Sequence, residues 1–184
     1  FVMGDGATCM VIEDLQHALD RGAPIVAEIS GIGLSGDAHH FTEPCPDGAG
    51  AILAMRNALK DAGISVEDVD YINAHGPGTP AGDTAEGQAL LKLLGDRAGD
   101  IAVSSTKPVH GHMLGATGPT ELAICMKAIE AGVIPHTLNC DDPELPELDI
   151  VRGEPRRSDV RVALSNSFGF GGHNISLIVS RFEE

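Results

Sequence analysis

The stretch Ser104-Ser105-Thr106-Lys107-Pro108-Val109-His110-Gly111-His112-Met113-Leu114-Gly115-Ala116-Thr117-Gly118 follows a short apolar run, Ile101 to Val103. It opens a segment, Gly115 to Ala131, in which Leu122, Met126 and Ile129 recur at helical spacing. Strand, polar loop, helix is the order of an open α/β sheet. In such sheets ligands gather beyond the carboxyl ends of strands, and a helix N-terminus there offers free amides and a dipole that favour anions. Taken singly, Lys107, His110 or His112 reads as a solvated loop residue. Crowded into one strand-end loop, they mark a candidate site.

The same alternation extends in both directions. Four helical patterns end at Gly22, Gly63, Gly95 and Gly132, each followed within a few residues by strand-like sequence. This predicts an α/β fold with a mixed, mostly parallel sheet covered by helices. In order, Ala7 to Glu13 reads as a strand, Asp14 to Arg21 as a short helix, and Ile25 to Leu34 as a longer strand that Gly31 and Gly33 should bend. Asp37 to Asp47 is a loop, and the next helix carries Ile52, Met55 and Leu59 on one face. Val69 to Asn73 is a strand that runs straight into the loop bearing His75. Thr79 then caps a helix with Pro80 at its first position and Ala89, Leu90 and Leu93 facing inward. Asp83 and Glu86, in the first turns, read as partners of the helix dipole. Pro135 to Pro155 is a proline- and acid-rich crossover. Val162 to Ser165 leads through a glycine-rich turn, Asn166 to Asn174, into a returning, antiparallel last strand, Ile175 to Val179.

Composition narrows the function. The chain has 184 residues, 42% of them hydrophobic, and a net charge of −15, which fits a folded domain and argues against a nucleic-acid surface. No apolar run is long enough to span a bilayer and no signal-peptide signature opens the chain. A soluble, cytoplasmic protein is expected, a plastid or mitochondrial origin being the alternative. The opening Phe1-Val2-Met3 reads as a piece of a longer chain. Cys9, Cys45, Cys125 and Cys140 form neither a zinc pattern nor a disulfide framework, and Cys9 and Cys125 read as small core residues. Adjacent His39 and His40 diverge in any regular backbone and lack a third ligand at metal spacing.

Three strand-end loops thus carry His75, then Lys107 with His112, then a glycine-rich turn bearing Phe168 and Phe170. Exposed amides suit an oxyanion, neutral imidazoles can donate to a carbonyl or a developing enolate, and a lysine tunes the field. The set suits carbanion chemistry at a carbonyl. Neither G-x-x-x-x-G-K-[ST] nor a strand-coupled G-x-G-x-x-G supports phosphate binding.

Asn73-Ala74-His75-Gly76, Ser105-Thr106-Lys107 with Gly111-His112-Met113-Leu114-Gly115, and Ser165-Asn166-Ser167-Phe168-Gly169-Phe170-Gly171-Gly172 resemble, in that order, the motifs of the β-ketoacyl-acyl carrier protein synthases. The likeness runs over essentially the whole chain and is nearest to the C-terminal half of the elongating synthase II type. It implies half of a thiolase-like fold and a Cys-His-His site whose cysteine lies in the other, N-terminal half. By position, His75 and His112 would be the catalytic histidines. Lys107 would order His112, with Glu121 as its buried partner. Phe170 would be the gating phenylalanine whose amide helps form the oxyanion hole, with Phe168 beside it. Thr79 would touch the pantetheine arm. Asn73, Ser165 and Asn166 match positions that frame a structural cation or water in some members. Pro77 departs from the family's usual threonine and His173 from a threonine common in bacteria, while His110 reads as a bystander.

The resemblance implies a decarboxylative Claisen condensation of malonyl-acyl carrier protein with an acyl-enzyme, in fatty acid or polyketide elongation. It implies no cofactor and no catalytic metal. The implied partners are acyl carrier protein, the N-terminal half of the same chain and a second copy in a homodimer, with neither nucleic acid nor membrane. Residues 1–184 would form the C-terminal domain, with 1–22 the tail of the N-terminal half, poorly anchored without it. The alternative is a non-catalytic chain-length-factor subunit of a polyketide system. A degradative thiolase is disfavoured, since thiolases use a different C-terminal motif with a second cysteine.

Overall fold

The computed structural model describes residues 1–183. Its centre is a five-stranded sheet of β1 (Glu28–Gly36), β2 (Tyr71–Asn73), β3 (Ala102–Ser104), β6 (Val162–Gly169) and β7 (His173–Ser180), in the order β1-β7-β6-β2-β3. β6, β2 and β3 pair in parallel, and β7 runs antiparallel to both its neighbours, β6 and β1. Four strands therefore point one way and the last strand the other, as the glycine-rich turn before it requires. A small antiparallel pair, β4 (Val133–Ile134) with β5 (Arg156–Arg157), closes the crossover.

Alternation along the strands sorts the side chains into two layers. Ile72, Val103, Leu164 and Ile178 pack with Met55 and Leu59 of α2 (Ala49–Ala62) and Leu90 of α3 (Pro80–Leu94). Tyr71, Ala102, Ala163 and Val179 pack with Leu122, Cys125 and Ile129 of α5 (Thr117–Ala131). Towards β1 the α5 layer gives out. Ile32 lies opposite Leu177 and Leu34 opposite Ile175 in the strand register, and Ile32, Leu34 and Ile175 remain exposed.

The glycines of β1 do more than bend it. The register does slip between Ile29 and Gly31, but Gly31 and Gly33 also face α2 at a distance no side chain tolerates. A Cβ on Gly33 would sit 1.9 Å from the Ala54 carbonyl oxygen and 2.4 Å from the Ala58 nitrogen. Both contacts are backbone, so strand or helix must move. Gly33→Ala should cost about 3 kcal/mol, the upper end for overpacking, and lower the thermal unfolding midpoint by several degrees. An unchanged midpoint would show that strand and helix do not approach this closely.

Two expectations fail at the N-terminus. Ala7 to Glu13 is not a strand: it is irregular and largely exposed, and Cys9 is exposed rather than buried. A strand needs a partner edge, and this segment lies against α5 instead, where the Thr8 hydroxyl bonds that of Thr120 and Met10 packs against the Leu122 and Cys125 layer. The next segment is regular: α1 (Leu15–Asp20) is capped by the Asp14 carboxylate, which accepts from the Gln16 and His17 amides.

Candidate active site

His75 lies just past the carboxyl end of β2, and its backbone is held at both ends. Its amide and that of Gly76 donate to the two carboxylate oxygens of Glu86, at 2.9 and 2.8 Å, and its carbonyl accepts from the Lys107 ammonium. Gly76 supplies the positive φ, +38°, that turns the chain back towards α3. There the Thr79 hydroxyl accepts from the Gly82 amide as the N-cap, as its sequence context predicts.

Glu86 is the residue that sequence reasoning missed. It is 4% exposed and also accepts from the Asn166 amide group at 3.0 Å. It anchors the His75 loop to α3 rather than serving a helix dipole. The signal was present in its spacing, since Glu86 falls one turn before the inward-facing Ala89 and Leu90 and so on the buried side of the helix.

Lys107 opens the short helix α4 (Lys107–His110) and is 5% exposed. Its ammonium donates to Glu121 at 2.6 Å and to the His75 carbonyl. The expected partnership with Glu121 is therefore present, but Lys107 reaches His75 rather than His112. Burial pushes the Glu121 carboxyl up to about 7 against the pull of the Lys107 ammonium.

His112 follows α4, and its ring stands edge-on to that of His75, centroids 5.4 Å apart and planes at 82°. Its Nδ1 accepts from the Leu114 amide at 3.1 Å and lies 3.3 Å from the Thr117 hydroxyl. An amide can only donate, so the neutral ring carries its hydrogen on Nε2. The N-terminal segment Val2 to Gly4 lies along His112, exchanging backbone hydrogen bonds with it, and the Phe1 ring sits 5.2 Å from the imidazole. Burial drives His75 down to about 3, assisted by Lys107 and His112; His112 is lowered too, by burial and then by Lys107 and His110. Both imidazoles are neutral at physiological pH. His110 spends both ring nitrogens on Thr106 and Gly111.

The glycine-rich turn stands over this pair unevenly. Phe168 is half-buried with its ring 5.7 Å from that of His75, whereas Phe170 is 76% exposed. The turn is held from outside: the Gly171 amide donates to the Phe41 carbonyl and the Asp37 amide to the Gly172 carbonyl. A cavity of about 770 Å³ runs from Phe1 and Pro77 past His112 to Leu138 and Leu145 of the crossover.

The three residues matched to a structural cation divide between the two faces of the sheet. Asn73 and Ser165 are register neighbours on the α5 side. Asn166 faces the other side, its side chain taken up by Glu86 and by the Ser176 hydroxyl. Asn73 Oδ1 and Glu121 Oε2 are buried oxygens without a partner, so these two fit a hard cation or a water, and the Asn166 side chain does not. None of the four thiols is hydrogen-bonded to either imidazole among the described residues. Cys125 is fully buried, with burial holding its thiol up to about 12.

Comparison with known proteins gives the family. The family model for the beta-ketoacyl synthase C-terminal domain matches residues 26–141. The chain is 51% identical over 182 residues to 3-oxoacyl-[acyl-carrier-protein] synthase 2 of Coxiella burnetii, covering 98% of this chain and 44% of that protein. It is 51% identical over 183 residues to the synthase of the same name from Rhizobium meliloti, covering 99% and 43%. Among solved structures, the ishigamide ketosynthase/chain length factor superposes with a TM-score of 0.92 at 40% identity, covering 98% of this chain and 44% of that one. A beta-ketoacyl synthase from Burkholderia phymatum gives 0.87 at 40% identity, covering 93% and 41%. The chain spans less than half the length of these relatives. With that match across the sheet and both histidine loops, it belongs to the β-ketoacyl synthase family, whose C-terminal domain it carries.

Proposed function

We propose that this chain supplies the two histidines of a β-ketoacyl-acyl carrier protein synthase, an acyltransferase that elongates fatty acyl or polyketide chains. The observation that carries the reading is the pair of neutral imidazoles, 5.4 Å apart and edge-on, with Lys107 behind them. Loss of CO₂ from a malonyl thioester leaves an electron pair that delocalises onto the thioester oxygen. Two neutral N–H donors aimed at that oxygen stabilise the enolate as it forms. The enolate carbon then attacks an acyl thioester on a cysteine of the N-terminal half, releasing the thiolate and leaving a β-ketoacyl product on the carrier. The Phe170 amide would serve the oxyanion of this second carbonyl and its ring would gate the site. Thr79 would meet the pantetheine arm through its hydroxyl, which keeps its hydrogen and one lone pair free beside the bond from Gly82.

The partners in this reading are acyl carrier protein, the N-terminal half and, in the complete enzyme, a second copy, in the cytoplasm. Residues 1–22 would belong with the other half, which would also cover the exposed strip of Ile32, Leu34 and Ile175. Two observations favour the alternative, a chain-length factor: solved structures of ketosynthases paired with chain length factors are among those similar to this chain. Retention of His75, His112 and Lys107 supports the catalytic reading instead.

The test uses malonyl- and acyl-carrier protein. The full natural polypeptide should release CO₂ and extend the acyl chain, whereas residues 1–184 alone should do neither, since no thiol here is placed as a nucleophile. Turnover by residues 1–184 alone, abolished by replacing one of its own cysteines, would sink this assignment. A full polypeptide that binds carrier protein without decarboxylating would support the chain-length factor.

A further inference from the structure

We propose that Thr117 is a positioning residue that holds His112 as the neutral ring with its hydrogen on Nε2. The inference rests on the reading of His112 as an enolate donor. Thr117 is the first residue of α5 and is 3% exposed, yet its hydroxyl caps no helix amide; its partner is His112 Nδ1, at 3.3 Å. Because the Leu114 amide already donates to that nitrogen, the hydroxyl must donate as well. Leu114 itself has φ +50°, a left-handed conformation that leucine adopts only under constraint. Nδ1 is thus gripped by two donors, and a proton placed there would break both bonds.

The charged and titratable groups around the ring point the same way. Lys107 and His110 approach from α4, His75 from the loop after β2, and the uncharged Phe1 ring from the segment alongside. Glu121, the carboxylate of α5 itself, is engaged by Lys107. Among the described residues none is a carboxylate bonded to His112, so nothing stabilises an imidazolium, and Thr117 adds a bond that only the neutral ring can accept.

The experiment compares Thr117→Val, which keeps the shape without the hydroxyl, with Thr117→Ser, which restores it, in the full natural polypeptide. Thr117→Val should move the acid limb of malonyl decarboxylation upward by about half to one pH unit and slow the reaction about 3- to 10-fold on that limb. Ring-nitrogen NMR shifts of His112 should show more imidazolium or Nδ1–H form, and Thr117→Ser should return both readouts to wild type. An acid limb and tautomer unchanged in Thr117→Val, or a Thr117→Ser that behaves like Thr117→Val, would overturn the proposal. A wild-type polypeptide that does not decarboxylate would defeat the condensing reading, and the nitrogen shifts would then still decide on Thr117.

Discussion

His75→Ala and His112→Ala should each slow malonyl decarboxylation by about two to three orders of magnitude, the scale for losing one preorganised oxyanion donor. Acylation of the upstream cysteine should suffer much less in both, since that charge develops at the Phe170 amide rather than between the imidazoles. The two variants should part company in stability. His75 is enclosed by the Phe168 ring and the backbone clamp of Glu86 and Lys107, so its truncation leaves a void under the turn. His112 is flanked by Phe1 and is more open. The pH dependence has its origin in the same burial. His75, driven down to about 3, stays neutral across the working range, so of the two imidazoles only His112 can contribute to the acid limb of decarboxylation. Separate assays of CO₂ release and thiol acylation check this, and a His112→Ala enzyme that decarboxylates at the wild-type rate refutes the role given to His112.

The parts of this site that were legible in the sequence are those that local chemistry dictates. A strand ending at Asn73 with a histidine beyond it, a threonine cap before Pro80, and glycines between two β-runs each announce their backbone, and each lies where expected. Contacts between loops distant in sequence were not legible. Glu86 meets His75 and Asn166, eleven and eighty residues away; its helical spacing puts it on the buried side of α3 but does not say which distant loops it meets there. Lys107 illustrates the same limit. Its pairing with Glu121 follows from the family likeness, but its second bond, to the His75 carbonyl rather than towards His112, depends on how α4 enters the layer beneath β2. Ala7 to Glu13 failed for the opposite reason: it has strand composition, but pairing is a property of two edges, and the segment lies against α5, which offers none.

Lys107→Met should destabilise the protein by about 3–5 kcal/mol at pH 8, the usual cost of breaking a buried ion pair from one side. The loss should be far smaller at pH 5. Glu121 is fully buried and titrates near 7 in the fold, well above an unfolded carboxyl, because burial outweighs the attraction of Lys107. A carboxyl raised in this way binds its proton more tightly folded than unfolded, so its contribution is complete below the unfolded value of 4.5 and declines as pH rises towards 7. Removing the ammonium raises the folded value further and extends that decline to higher pH. At pH 5 Glu121 is protonated in the folded protein with or without Lys107, and the substitution leaves no buried charge. At pH 8 the wild type holds an ion pair where the variant must bury a lone carboxylate or bind a proton against the solvent. Because Lys107 also fixes the His75 carbonyl, the loss of activity should resemble that of His75→Ala more than that of His112→Ala. Denaturant unfolding at the two pH values, with decarboxylation measured alongside, tests both halves, and an equal loss of stability at pH 5 and pH 8 would show that Glu121 does not titrate against Lys107.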